Sequence, residues 1–226
     1  MKIKNLIISA LISGISMVSI SANTEMYNKN LSDKQFLGNY IFDTNVNNEE
    51  LSVGFKYDLS AANSSFKKGM SYVGVNYFKV SKYEDTKNDI IEANILIKDF
   101  INMVPGFKIG VGLKLLHTSY EDKSVNKSLS YNAMPFGIEA EYFLPVGGDV
   151  PVSISAKGYY APNPLTMSDA YLYYEYGTQV NAKLLNHVNA YLGYRSVNTS
   201  YEKIGKESKK NINLNSSVYF GVSIGF

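Results

Sequence analysis

The residues best suited to chemistry lie in the segment LLHTSYED, residues 115–122. A histidine, a serine and a glutamate occupy every second position there, as His117, Ser119 and Glu121. In an extended strand, side chains at this spacing point to one face. A serine nucleophile, a histidine base and an acid that orients the base form the arrangement of a hydrolase. The spacing therefore makes these three residues a candidate hydrolytic site.

Few other side chains could act as a nucleophile or bind a metal. The chain has no cysteine and two histidines, and the second, His187, lies in the short segment LLNHV. No spacing of His or Asp predicts a metal site, and the segment GVGLKLL lacks the strand-loop-helix context of a phosphate-binding loop. We therefore expect no cofactor and no metal.

The elements that must position these residues are β-strands. From Tyr171 to Leu184 the even positions are mostly apolar and the odd positions polar or charged, which is the period of a strand. The 19 Tyr and 11 Phe favour strands as well. The alternation recurs at 91–98, 107–115, 134–142, 152–160 and 188–195, and less regularly near 36–43, 50–58 and 69–80. We interpret the pattern as ten strands.

The first 22 residues, MKIKNLIISALISGISMVSISA, have the pattern of a secretory signal peptide. Lys2 and Lys4 precede an apolar run that is shorter than the roughly 20 residues of a spanning helix. Cleavage after Ala22 would leave residues 23–226 as a single domain. It would remove both lysines and no acid, so the mature chain would be neutral, and we expect no nucleic-acid partner.

Alternating strands fit either a soluble sandwich or a membrane barrel, and four features favour the barrel. The strands reach the roughly 10 residues that a tilted strand needs to cross hydrocarbon. Tight segments such as LPVGGDVP alternate with hydrophilic loops, predicted at 119–130 and 201–211, as in outer-membrane barrels. The export signal would deliver the chain to the periplasm, from which outer-membrane barrels insert. Aromatic girdles are predicted from Tyr131, Tyr160, Tyr174, Tyr194 and Tyr201 at the outer end and from Phe107 and Phe226 at the other.

The prediction is therefore an all-β fold, a transmembrane antiparallel β-barrel of ten strands of the outer-membrane type. An eight-stranded barrel is the alternative, if residues 23–68 form a preceding periplasmic segment. The final segment VYFGVSIGF alternates as a strand that must pair with the first one, because lipid cannot satisfy a free edge. Its Phe220, Ile224 and Phe226 resemble the signal that the barrel-assembly machinery recognises during biogenesis.

Eight charged residues are expected on the inner face of this barrel. A narrow barrel interior can be nearly filled by side chains, so paired charges would plug it. A water-filled path with mixed charges is the alternative, a narrow porin-like channel for ions or small solutes. Arg195 with Glu175 is the first cross-strand pair expected. The eight residues are Glu92, Lys114, Glu139, Glu141, Lys157, Glu175, Lys183 and Arg195.

Two resemblances add to these predictions. The segments GYYAPNPLTMSDAYLYYEYG at 158–177 and NAYLGYR at 189–195, with the final VYFGVSIGF, resemble the YfaZ family of outer-membrane proteins over roughly the last 100 residues. That resemblance implies the fold and the location and transfers no catalytic residue. The pair His117 and Ser119 resembles the His-x-Ser pair of lipid A deacylases, whose site faces the membrane.

The function expected from the sequence is structural. We predict an integral protein of the outer membrane of a Gram-negative-type cell, with a charge-paired interior and both termini in the periplasm. It is expected to be a monomer that contacts outer-membrane lipids and lipopolysaccharide and to have no enzyme activity. A porin-like channel is the first alternative, and a lipid A acyl hydrolase using His117 and Ser119 is the second.

Overall fold

The computed structural model describes residues 36–48, 50–80, 86–101, 104–122, 127–145, 150–168, 170–204 and 207–226. The predicted signal peptide and the domain boundary at residue 23 lie outside the described residues. No helix within the described ranges is long and apolar enough to cross a bilayer.

The described residues form one sheet of twelve strands. Two short 3-10 helices, Leu59–Ala61 and Asn163–Leu165, interrupt them. The strands are β1 Tyr40–Val46, β2 Glu50–Asp58, β3 Ser71–Val80, β4 Thr86–Phe100, β5 Phe107–Asp122, β6 Lys127–Ala133, β7 Phe136–Phe143, β8 Val152–Ala161, β9 Thr166–Ser168, β10 Ala170–Leu185, β11 Val188–Ile204 and β12 Glu207–Gly225.

Ten of these strands close into an antiparallel barrel. Their order is β4-β3-β2-β1-β12-β11-β10-β8-β7-β5, and a β4–β5 pairing completes the ring. The other two are additions, since β6 pairs with the end of β5 and β9 pairs with β6. The predicted ten-stranded barrel is confirmed. The eight-stranded alternative is wrong because β1 and β2, which both precede residue 69, belong to the wall.

The seam between β1 and β12 closes the barrel. Ile41 lies opposite Gly225 in this register. The N–H of Tyr40 donates to the carbonyl of Phe226 at 3.0 Å, and the N–H of Phe226 donates back at 2.9 Å. The two rings stack with their centroids 6.1 Å apart. Because β1 and β12 pair, neither strand has a free edge here. A bilayer requires this closure, since lipid cannot satisfy free backbone groups.

The two faces of the wall differ as a membrane barrel requires. Val180 and Leu192 face outward and are 45% and 55% exposed, whereas Glu175 on the inner face is 4% exposed. An outward apolar band around a polar interior is the pattern of outer-membrane barrels, in which short turns lie in the periplasm. We therefore call the end that holds the turn at 186–187 and the paired residues Tyr40 and Phe226 the periplasmic end. The opposite end is the outer end.

The predicted outer loops are largely strands. β5 continues to Asp122 and β6 begins at Lys127, so the predicted loop 119–130 is mostly a hairpin. β11 likewise runs to Ile204 and β12 begins at Glu207, within the predicted loop 201–211. Hydrophilic residues can continue a strand beyond the membrane because the backbone groups stay paired across the hairpin.

Two of the predicted girdle tyrosines lie inside the barrel. Tyr131 and Tyr201 are 1% and 0% exposed and pack edge to face with their centroids 5.7 Å apart. Tyr201 has the inward parity of Arg195 on the same strand, and Tyr131 lies on the inward face of β6. Tyr160 faces outward, as predicted, and is 46% exposed.

Candidate functional site

The inner face carries the charged residues that the alternation predicts. Glu92, Lys114, Glu175 and Arg195 are buried there, and the other four of the eight are partly buried. These side chains point inward because they occupy the polar positions of each strand, whereas the alternate, apolar positions face outward. Lys183 lies nearest the periplasmic end, where its ammonium donates to the carbonyl of Phe36 at 2.9 Å.

The center of the lumen holds a chain of alternating charges. The Nζ atom of Lys114 lies 3.0 Å from Glu92 Oε2 and 2.6 Å from Glu175 Oε2. Lys157 Nζ lies 2.6 Å from the other oxygen of Glu175. The hydroxyl of Tyr173 donates to Glu175 at 3.1 Å. Buried charges are tolerated where partners and hydrogen bonds satisfy them, and this cluster meets that condition.

Glu92 completes the cluster on the side of β3 and β4. Its second oxygen accepts hydrogen bonds from the amide groups of Asn76 at 3.0 Å and Asn94 at 2.9 Å. Lys114 also lies over the ring of Tyr159, 4.1 Å from its centroid, which adds a cation–π contact. The ammonium of Lys114 thus contacts two carboxylates and an aromatic ring.

The two acids of β7 share one base. Lys98 Nζ lies 3.1 Å from Glu139 Oε2 and 3.8 Å from Glu141 Oε2. Tyr159 donates to the remaining oxygen of Glu139 at 2.9 Å, and Ser153 donates to Glu141 at 2.8 Å. Both carboxylates are therefore held in fixed positions.

Arg195 pairs with Glu50, not with Glu175 as predicted. The guanidinium forms an ion pair with Glu50, which also accepts a hydrogen bond from Asn215. It packs over the ring of Phe78 at 4.5 Å from the centroid. Adjacent strands do bring Arg195 near Glu175, since Gly177 lies opposite Arg195. The oxygens of Glu175 already bind Lys114, from β5 across the lumen, and Lys157, from the adjacent strand β8.

Sequence reasoning missed several inner charges. Asp43, Glu50, Lys56 and Asp58 come from strands whose alternation is less regular, although the parity of Leu51, Val53 and Phe55 on the outside of β2 could have identified Glu50. Lys98 and Lys108 have the polar parity of the regular segments 91–98 and 107–115 but are not among the eight predicted residues. Lys108 lies between two aromatic rings, 4.9 Å from the centroid of Phe100 and 4.7 Å from that of Phe143. The missed residues are Asp43, Glu50, Asp58, Lys56, Lys98 and Lys108.

An apolar layer lies on the outer side of the charges. It joins residues of β4, β5, β6, β8, β10, β11 and β12, and Phe78, Tyr120, Leu165 and Ile212 pack against it. The hydroxyl of Tyr131 reaches Thr199 at 2.6 Å within it. Its buried members are Ile90, Leu116, Leu129, Tyr131, Ala133, Ala161, Ala170, Tyr173, Val197, Tyr201 and Leu214.

A polar cavity of about 280 Å³ occupies the periplasmic half of the lumen. Leu37 lines it near the periplasmic end, and Lys114 and Arg195 line it where it meets the charges. Asp43 faces it and accepts hydrogen bonds from Tyr191 at 2.8 Å and Ser223 at 2.6 Å. The cavity therefore lies on one side of the charge cluster and the apolar layer on the other.

The residues of the His-x-Ser segment lie on the outside of the wall. His117, Ser119 and Glu121 are all exposed on the outward face of β5. His117 Nδ1 lies 2.9 Å from Oδ1 of Asn132 on β6, so the imidazole contacts this amide. Across the described ranges no three His, Asp or Glu side chains are close enough to hold a metal ion.

His187 makes a local structural contact at the periplasmic end. His187 lies in the exposed turn between β10 and β11, and its Nδ1 atom lies 2.7 Å from the carbonyl of Leu37. Together with Lys183, this turn binds the segment that precedes β1 at the periplasmic end.

Comparisons with solved structures show only distant similarity. A bacterial polysaccharide outer membrane secretin is 9% identical with a TM-score of 0.46, and the match covers 78% of this chain and 56% of the secretin, so the chain spans little more than half of that protein. The KdgM porin in complex with disordered oligogalacturonate is 12% identical with a TM-score of 0.41, covering 83% of this chain and 98% of the porin. The outer membrane protease OmpT from Escherichia coli is 10% identical with a TM-score of 0.39, covering 83% and 91%. At these values the similarities carry no argument about activity.

Among curated proteins, no relative matches the sequence. A family model described as YfaZ precursor matches residues 42–226, from the first strand of the barrel to Phe226. The match extends well beyond the last 100 residues in which the tyrosine-rich segments show the resemblance. This outer-membrane β-barrel therefore belongs to the YfaZ precursor family.

Proposed function

We propose that this protein is a closed structural barrel of the outer membrane whose interior does not conduct ions. The observation that carries the proposal is the filling of the lumen by two stacked layers. The charge cluster around Lys114 and Glu175 spans the center, and the apolar layer around Tyr131 and Tyr201 covers its outer side. An ion would have to enter an apolar layer without water, which costs several kcal/mol or more.

A narrow channel is the second candidate function. The polar cavity favours it, because mixed charges such as Asp43, Lys56 and Glu141 line a volume of about 280 Å³. Charged side chains around a water-filled path are how channels set ion preference. A channel would need the apolar layer to move aside, whereas the closed barrel needs no movement.

Conductance in planar bilayers tests the proposal. The refolded protein, shown to be folded by its heat-modifiable mobility in gels, should give no discrete current steps at any voltage that the bilayer tolerates. Current steps that change in size or selectivity in Lys157→Gln or Glu139→Gln would overturn the proposal and support the channel. Lys67→Gln is the matched control, because Lys67 is exposed and pairs with Asp99 outside the lumen at 2.8 Å.

A further inference from the structure

The outer wall carries a group of polar side chains that the closed lumen does not explain. They lie on neighbouring strands near the outer end, where β5 pairs with β4 on one side and with β6 on the other. His117 lies opposite Asn132, and Ser119 lies opposite Ser130. On the other side, Ser119 lies opposite Asp89. His117, Ser119, Ser130 and Asn132 are exposed on the outward face.

We propose that Ser119, His117 and Asn132 form a membrane-facing site that hydrolyses fatty-acyl esters of outer-leaflet lipids. Ser119 is the nucleophile and His117 the general base. Asn132 is a positioning residue that acts through His117. This activity is separate from the proposed closed-barrel function. The filled lumen contributes to it only by keeping the wall of the barrel rigid.

Asn132 sets the tautomer that a general base needs. Its Oδ1 atom can only accept a hydrogen bond, so at 2.9 Å the Nδ1 atom of His117 carries the proton and donates. The lone pair of Nε2 is then free to take a proton. This is the part that the buried acid plays in serine hydrolases, where the partner of Nδ1 fixes the tautomer and the orientation of the ring. Asn132 performs it from the neighbouring strand.

Ser119 lies two residues from His117 on the same face of the strand. Their Cα atoms are therefore about 7 Å apart, a span that the hydroxymethyl group of Ser119 can shorten by rotation about its own χ1 bond while Asn132 holds the imidazole. Catalytic hydrogen bonds of this kind are often long without substrate and tighten when substrate binds. The positions therefore allow Oγ of Ser119 to transfer its proton to Nε2.

The depth of the site selects the substrate class. Below His117 on the same face, Leu115 is 57% exposed, and Ile91, directly opposite His117 on β4, is also 57% exposed. Beside Asn132, Met167 of β9 is 62% exposed. Polar groups begin at this level, where Tyr77 donates to Asp89 at 2.7 Å. The ester bonds of a membrane lipid join its acyl chains to its headgroup, so they lie at this boundary.

The reaction balances without a cofactor. Oγ of Ser119 attacks the acyl carbonyl carbon while His117 accepts the serine proton, and the carbon–oxygen bond to the lipid alcohol breaks as His117 returns that proton to the alcohol. Water then attacks the acyl-serine ester, and His117 moves its proton to Oγ. The products are one fatty acid and one lipid that has lost an acyl chain.

Hydrolysis is tested on the full-length folded protein with two kinds of vesicle. One contains phosphatidylethanolamine and phosphatidylglycerol alone, and the other contains added lipopolysaccharide. We expect fatty acid to be released and mass spectrometry to show which lipid loses an acyl chain, which distinguishes glycerophospholipid from lipid A as the source of the ester. A fluorophosphonate probe should add its mass to Ser119.

Substitutions separate catalysis from folding. Ser119→Ala and His117→Ala should each reduce fatty-acid release by more than about 10²-fold, while heat-modifiability in gels remains. Ser216→Ala is the matched control and should keep full activity, because Ser216 faces outward from β12, five strands away around the ring in either direction. Release that persists in Ser119→Ala would overturn the proposal. So would a folded wild-type protein that neither releases fatty acid nor reacts with the probe.

A pH profile tests the role of Asn132. In Asn132→Asp the new carboxylate would stabilise protonated imidazole, so the acidic limb of the activity profile should move to higher pH while activity at high pH survives. Asn132→Ala should lower kcat without that displacement. An unmoved acidic limb in the folded Asn132→Asp protein would contradict the positioning role, because a purely structural amide would give only a uniform loss.

Discussion

At the scale of single residues, Lys114 is the cation at the center of the charge cluster in the lumen. It is 4% exposed and contacts both Glu92 and Glu175. Removing one member of a buried ion pair leaves an uncompensated charge and typically costs about 3–5 kcal/mol. Glu175 keeps Lys157 as a second partner at 2.6 Å, so the loss should lie at the lower end of that range.

We therefore predict that Lys114→Met lowers the free energy of unfolding by about 3 kcal/mol. The measurement is reversible urea unfolding in detergent or lipid, followed by tyrosine fluorescence. Lys67→Met is the control, because Lys67 and Asp99 form an exposed pair whose side chains are 63% and 62% exposed. Its loss should cost less than about 1 kcal/mol. Equal effects of the two substitutions would mean that the lumen charges are solvated.

The sequence predicts the face of a residue better than its partner. Alternation places Glu175 and Arg195 on the inner face, because the outward positions of the same strands are apolar. It cannot identify Glu50 as the partner of Arg195, because that pairing depends on which strands meet across the lumen. Asn132 could not be identified as the partner of His117 either, because the β5–β6 hairpin that sets their register falls largely in the predicted loop 119–130.

At the scale of strands, glycines on the inner face make room for tyrosine rings. A Cβ atom at Gly193 of β11 would lie 2.5 Å from Cζ of Tyr219 and 2.9 Å from the carbonyl oxygen of Thr178. A Cβ at Gly221 would similarly lie 2.2 Å from the ring of Tyr191. Each ring covers a glycine of the neighbouring strand, and the hydroxyl of Tyr219 reaches Gln179 at 2.8 Å.

We predict that Gly193→Ala lowers the free energy of unfolding by about 1–3 kcal/mol, the usual cost of overpacking. Gly158→Ala is the matched control, because Gly158 is also a strand glycine and a Cβ there meets no atom within 4 Å. Its effect should be neutral or slightly stabilising. Both are measured as urea midpoints. If Tyr219→Ala does not relieve the loss in the Gly193→Ala background, steric conflict with that ring is not the cause.

The strands themselves are mostly predictable from the sequence. The ten-stranded ring and the outward face of Val180 and Leu192 follow from alternation, because a closed wall between lipid and a polar interior imposes one period on every strand. The apolar layer is not predictable in this way. Tyr131 and Tyr201 pack inside the barrel near its outer end. At that level alternation no longer distinguishes a ring that faces lipid from one that is enclosed.

At the scale of the whole molecule, the lumen is asymmetric along its axis. Its periplasmic half contains the polar cavity lined by Asn181, whereas its outer half contains the apolar layer that includes Val197, 5% exposed. Both residues lie on the inner face of adjacent strands. A continuous channel would give both positions the same access to water, whereas a barrel plugged at one end would not.

Single cysteines can measure this asymmetry, because the natural chain contains no cysteine. We predict that Asn181→Cys in the folded protein reacts with a small charged thiol reagent at least about tenfold faster than Val197→Cys, since a thiol must meet both water and reagent to react. Mass spectrometry follows the labelling, and in urea both variants should react at one rate. Equal rates in the folded state would show that water and ions reach the outer half, and the lumen would then be a path instead of a plug.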